Sequence, residues 1–178
     1  MNREQYIAAL EFWFAAETAG AIAGEVAMLV RSDPEEKRKL DIFRRIEASN
    51  KMLCRDALQA EGNARPVIAT SFYRNGYKLG LRFAEGDWLS FLDRFEATVH
   101  PEEFTGRFID DSGNETLHEY EGVDMPLLRH LARHEASLAE FVSRERAGRN
   151  KDSTEAMERI LDSKLCAGLV GPHDPVGW

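Results

Sequence analysis

The chain has 178 residues, 43% of them hydrophobic and 30% charged. That is the balance of an ordinary globular protein, with length enough for one domain and a sizeable core. A formal net charge of -8 and scattered Lys and Arg argue against a nucleic-acid or anionic-membrane partner, both of which want a basic patch. The two cysteines, Cys54 and Cys166, have no CxxC spacing and no adjoining His cluster, so neither a zinc site nor a disulfide framework is expected, and a reducing cytoplasm is the expected compartment.

The first predicted element is a proline-free helix over about residues 3–31. Its wheel places Tyr6, Leu10, Trp13, Phe14, Ala21 and Met28 on one face, with Ile7, Ile22 and Leu29 widening it. Gly20 and Gly24 stack on one side, where their missing side chains admit a close neighbour. The residues before this helix lack the features of a signal peptide. The longest apolar-rich run, residues 19–30, is broken by Glu25 and is too short to cross a bilayer.

Asp33-Pro34-Glu35-Glu36 reads as a helix start, with Asp33 as cap and Pro34 in the first turn. The second helix should run to about Glu61, burying Phe43, Ile46, Leu53, Ala57 and Leu58, and should pack on the first as an antiparallel hairpin. Pro66 opens a third stretch, split at Gly86-Asp87 into helices over about 66–85 and 87–99. Tyr73, Tyr77, Leu81, Ala84, Trp88, Phe91 and Phe95 form its inward stripe. Residues 101–124 have no clear period, and the expectation there is an irregular segment holding a short helical turn. Asp124 caps a strong helix over 125–147, which buries Leu127, Leu131, Leu138, Phe141 and Val142. A short helix follows over about 153–167, and residues 168–178 form an extended arm. No segment reads as a convincing strand. The fold class is therefore all-α: one domain over residues 1–178, with its core in 3–148 and a C-terminal helix and arm in 149–178.

Several polar residues fall inside apolar faces. Glu17 lies among Leu10, Trp13, Ala21 and Met28. Glu47 and Asn50 flank Phe43, Ile46, Leu53 and Cys54. His134 lies beside Leu127, Leu131, Leu138 and Phe141, with His130 one turn earlier, toward solvent, and Glu135 at the other edge. A buried carboxylate is costly unless paired, protonated or metal-bound. His134 also has a plainer reading, as a core histidine donating to Glu17 or Glu47.

An inward glutamate followed by Glu-x-x-His on a helical hairpin, repeated in a second hairpin, is the di-iron carboxylate motif. The chain resembles the ferritin-like superfamily in helix count, in its long central connection and in Glu17 followed by Glu47. Residues 128–141 are similar to the fourth bundle helix of uncharacterised bacterial ferritin-like proteins. The resemblance implies a four-helix bundle with a kinked or split third helix, a short extra C-terminal helix, and ligands drawn from Glu17, Glu47, Asn50 and His134. The motif is incomplete. Asn50 stands where a ligand His belongs, Leu131 stands three residues before His134, and Glu96 falls off its stripe. The one literal match, Glu115 to His118, sits in the irregular segment. A complete di-metal centre is not expected. The expected function is a non-catalytic binding or assembly module without a cofactor. The alternative is an iron or manganese oxidoreductase using Glu17, Glu47 and His134. A small-molecule pocket covered by residues 101–124 is a further possibility. A homodimer is expected, because a Gly/Pro-rich tail ending in Trp178 has little to pack on in its own subunit and closed two-fold dimers are the commonest assemblies.

Overall fold

A computed structural model describes residues 3–63, 65–99, 107–109, 115–117 and 125–171. These residues form six helices, α1 Arg3–Val30, α2 Pro34–Ala60, α3 Thr70–Ala84, α4 Trp88–Glu96, α5 Met125–Arg146 and α6 Glu155–Leu161, and two short strands, β1 Arg107–Ile109 and β2 Glu115–Leu117. The strands pair antiparallel, Phe108 opposite Thr116. Where the sequence suggested an irregular segment with a helical turn, the described parts are a small hairpin. The rest of residues 100–124, including His118 and the expected cap Asp124, lies outside the described residues.

The α1–α2 turn follows local chemistry. Asp33 Oδ1 accepts from the Glu35 and Glu36 amides at 2.9 Å each, and Pro34 opens the helix. Arg31 is buried beside that turn. It donates to the Phe83 carbonyl and to Glu36, and its guanidinium lies over the Trp88 and Phe91 rings. The α3–α4 break also falls where expected. Gly86 takes a left-handed φ of 69°, open to glycine at little cost, and Asp87 caps α4 through the Ser90 amide.

Helix α1 packs on α2 and α3, while α5 packs on α2, α4 and α6. The α1–α3 contact depends on Gly76 and Gly80. A Cβ on Gly76 would stand 2.6 Å from the Ala19 carbonyl oxygen, and one on Gly80 would stand 2.6 Å from the Val26 Cβ. This close approach overturns the expected α3 stripe. The buried positions are Gly76, Gly80 and Phe83, while Tyr77 is 54% exposed and Leu81 is exposed too. Large side chains lose to glycines here because the helices meet nearly backbone to backbone.

Three other boundaries shift. Helix α3 starts at Thr70 rather than Pro66. The β-branched Val67 and Ile68 disfavour helix, and Ile68 packs on the cluster around Leu10 and Leu58, which holds residues 66–69 out of the helix. Helix α4 ends at Glu96, where turns take over. Helix α6 stops at Leu161, after which turns run on, one of them fixed by the Cys166 amide donating to Ser163 Oγ. The start of the expected arm docks on its own chain. Val170 is buried against Ala21 and Ala48, and its carbonyl accepts from Arg45 Nε. Residues 172–178 lie outside the described residues.

By length and mean hydropathy α1 passes the test for a membrane-crossing helix, but 61% of that apolar window is buried inside the fold, so protein packing takes up its apolar surface.

The apolar core divides into two large clusters along the helices. One takes residues from Tyr6 to Phe14 of α1, Cys54 and Leu58 of α2, and Leu127 and Leu131 of α5. The other takes Ala23 and Ala27 of α1, residues from Leu40 to Ile46 of α2, Leu138 to Val142 of α5, and the aromatic group Phe83, Phe91 and Phe95. Between them, on all three helices, lies one polar layer: Glu17 on α1, Glu47 and Asn50 on α2, and His130 and His134 on α5, all buried.

A candidate metal centre between two apolar clusters

The layer brings Glu17, Glu47 and His134 together as the sequence suggested. One ligand atom from each lies within 4.8 Å of the others. Glu17 and His134 are each 1% exposed and Glu47 6%. His134 Nδ1 is 3.5 Å from Glu17 Oε1, and His134 Nε2 is 3.0 Å from Glu47 Oε1. Yet neither ring nitrogen, nor Glu17 Oε1, has a partner in hydrogen-bond geometry among the described residues. An oxygen 3.0 Å from a ring nitrogen but off its N–H axis is placed as a co-ligand would be. Two bonds of about 2.1 Å meeting near a right angle leave their donor atoms about 3 Å apart.

Local sequence builds this arrangement. Gly20, one turn beyond Glu17, leaves the hole into which the Glu47 carboxylate fits; a Cβ there would be 2.0 Å from Glu47 Oε2. Asn50 Nδ2 donates to Glu17 Oε2 at 3.3 Å, and its Oδ1 lies 2.9 Å from His130 Nε2. Both ends of the amide are thus engaged, and Asn50 orients Glu17 as partners behind a ligand do. His130 is buried rather than at the solvent edge, since Cys166 from the turns after α6 covers it, Sγ to Nε2 3.2 Å.

Burial pushes the Glu47 carboxyl well above the usual range, and the Glu17 charge beside it adds to this. Burial disfavours a charged His134, but the fields of Glu17 and Glu47 outweigh it and hold the imidazole well above its ordinary value. Burial lowers His130 to about 4 and pushes the Cys166 thiol up to about 11. Cys54 is likewise raised well above its ordinary value by burial. Both cysteines are therefore thiols at neutral pH, without the thiolate character that nucleophilic chemistry needs.

Glu135, placed at the edge of its helix by sequence, belongs to the site's surroundings. One of its carboxylate oxygens is buried, and its charge reaches Glu47. Glu17, Glu47 and Glu135 all line a cavity of about 300 Å³ between α1, α2, α3, α4 and α5. Helices α3 and α4 contribute Phe72, Leu79 and Phe95 to its walls; the expected cover by residues 101–124 falls for the most part outside the described residues. A buried pair the sequence did not reveal, Lys39 with Glu145 at 2.7 Å, ties α2 to α5, and Trp88 Nε1 donates to the same Glu145.

No protein-family model matches the chain, and comparison with curated proteins and with solved structures found no match.

Proposed function

We propose that this protein is a metal-binding helical bundle of the ferritin-like kind, holding one divalent transition-metal ion on Glu17, Glu47 and His134. The observation that carries this reading is that one ligand atom each from the buried Glu17, Glu47 and His134 lies within 4.8 Å of the others. Two carboxylates and one imidazole form a mixed O/N donor set that suits iron, manganese or zinc better than soft Cu(I). A bound iron or manganese would supply Lewis acidity and one-electron chemistry beside the cavity. The chain's own part is to desolvate the site, to hold Glu17 through Asn50, and to seat Glu47 in the gap left by Gly20. Among the described residues the donors number three, which favours a mononuclear site over a di-iron centre.

A second reading has its own observation. Each ring nitrogen of His134 faces a different carboxylate, the arrangement of an imidazolium held between two anions in a non-catalytic module. Elemental analysis of protein expressed with iron, manganese and zinc supplied separates the two. About one equivalent of metal, lost in Glu17→Gln with the helical circular dichroism intact, supports the metal site. Metal-free protein whose melting is indifferent to these ions and to chelator supports the ion-paired core.

A further inference from the structure

The scattered Lys and Arg of the sequence hide one concentrated row. Arg74, Lys78 and Arg82 recur every fourth residue on α3, and all three are exposed. Neighbours in the row are one turn apart, about 6 Å, so the three cations stand within about 12 Å. Helix α3 contains no acidic residue. Among the described residues no carboxylate pairs with any of the three, whereas Arg38, Arg44, Arg144 and Arg146 are each held by one or more. Glu85 and Asp87 follow beyond the helix end, and Asp87 is taken up as the α4 cap. Beside the cations runs an apolar row of the same period. Tyr73 is half-buried in it, while Tyr77 and Leu81 are 54% and 38% exposed. Val67, just before the helix, is 90% exposed. The opposite side of α3, Gly76, Gly80 and Phe83, is the one that packs inward, so both rows are left to the surface.

We propose that this face of α3 docks on the surface of an anionic phospholipid bilayer. An amphipathic helix with cations beside apolar side chains lies flat in the interface, its apolar row entering the acyl boundary and its cations meeting anionic headgroups. Tyrosine suits that depth, since its ring is apolar and its hydroxyl stays wet. Long Arg and Lys side chains reach back to the headgroups from beside the apolar row. The net charge of -8 does not decide the matter. Acids more than about 10 Å from the membrane are screened at about 0.1 M salt, whereas the α3 cations lie against it. None of the six residues of the two rows lines the cavity beside the metal site or the larger one, of about 820 Å³, between α1, α2 and α6. The anchoring side chain of a protein partner therefore finds no such pocket to fill on this face. A nucleic acid backbone offers no apolar medium to Tyr77 and Leu81. A lipid surface meets both rows at once.

The test sediments the full chain with large vesicles, in about 0.1 M salt. One set is phosphatidylcholine alone; in the other about one third of the lipid is phosphatidylserine. The expected result is binding at least about tenfold tighter to the anionic vesicles, falling at least about fivefold in about 0.5 M salt. Arg74→Gln, Lys78→Gln and Arg82→Gln together should bring binding down to the phosphatidylcholine level. Arg129→Gln, Arg133→Gln and Lys151→Gln change the net charge equally at exposed positions elsewhere, and should leave binding within about twofold. Tyr77→Ser with Leu81→Ser should weaken binding at least about fivefold while the helical circular dichroism stays intact. Equal binding to both vesicles, binding to neither, a loss in the control triple as large as in the α3 triple, or no response to the paired serine substitutions would overturn the proposal. Tighter capture of poly-glutamate or of a single-stranded oligonucleotide than of the anionic vesicles would overturn it too, in favour of an acidic protein or a nucleic acid on the same cations.

Discussion

At Gly20 one hydrogen atom decides where a carboxylate goes. The Glu47 Oε2 occupies the space in which any other residue would place its Cβ. Gly20→Ala should therefore displace the Glu47 carboxylate from His134 and weaken metal binding at least about tenfold. Metal-free stability should change little, because alanine gains about 1 kcal/mol of helix propensity over glycine and the displaced group is the end of a flexible side chain. Competitive titration against a chromophoric chelator, alongside thermal melts, measures both; an unchanged metal affinity would refute the role given to Gly20. Glu17 was legible in the sequence, since the 3.6 period sets it among strongly apolar neighbours. His130 was misjudged as an edge residue, whereas Glu135 is half-buried, as its edge position implied. The burial of His130 comes from a chain segment remote in sequence, the turn carrying Cys166. A single helix's periodicity carries no information about such cover.

Among the elements, α1 owes its place to glycines on both sides of its contacts. Its own Gly24 takes in Arg44 and Phe43 of α2, while Gly76 and Gly80 of α3 meet its backbone at Ala19 and Ala23. Gly80→Ala tests this at a position unlike Gly20. Its Cβ would lie 2.7 Å from the Ala23 carbonyl and 2.6 Å from the Val26 Cβ, and neither can swing aside without moving the helix. The expected cost is about 1–3 kcal/mol by overpacking, net of the propensity gain, read as a lowered urea midpoint. Unchanged stability would mean that α1 and α3 do not meet this closely. The helices themselves were largely readable, because capping residues such as Asp33 and Asp87 and the break at Gly86 mark their ends locally. The buried face of α3 was not. Periodicity locates a stripe of large apolar residues, and on this helix the buried face is marked by the absence of side chains. The end of α6 escaped for a related reason: Leu165 and its neighbours keep a helical pattern through residues that fold as successive turns.

For the whole molecule, the polar layer between two apolar clusters links stability to both metal and protons. Residues 172–178 lie outside the described residues, while the start of the arm, at Val170, docks on Ala21 and on Ala48, next in sequence to Glu47 of this layer. Inside it, Glu47 and His134 both have raised affinities for protons, and as neighbours they titrate as a unit. The sign follows from linkage. A group whose folded pKa exceeds its unfolded value keeps its proton in the folded state over a window in which the unfolded chain has released it. The folded state is then favoured most below the unfolded pKa, and that advantage fades as pH rises. The window opens above about 4.3 for a glutamate and about 6.5 for a histidine. Metal-free protein should accordingly lose stability as pH rises above about 6.5. Metal acts in the opposite sense, since it needs an ionised Glu47 and a neutral His134 and must displace their protons. Its affinity should rise over the same interval. At free metal about 100-fold above the dissociation constant the gain is about 2.7 kcal/mol, a rise in melting temperature of roughly 5–10 °C for a chain of this size. The prediction is that the melting temperature in zinc or manganese exceeds that in chelator by more at pH 8 than at pH 6, and that Glu17→Gln removes the difference at both. A metal increment that shrinks with rising pH would show that the ion binds away from Glu47 and His134.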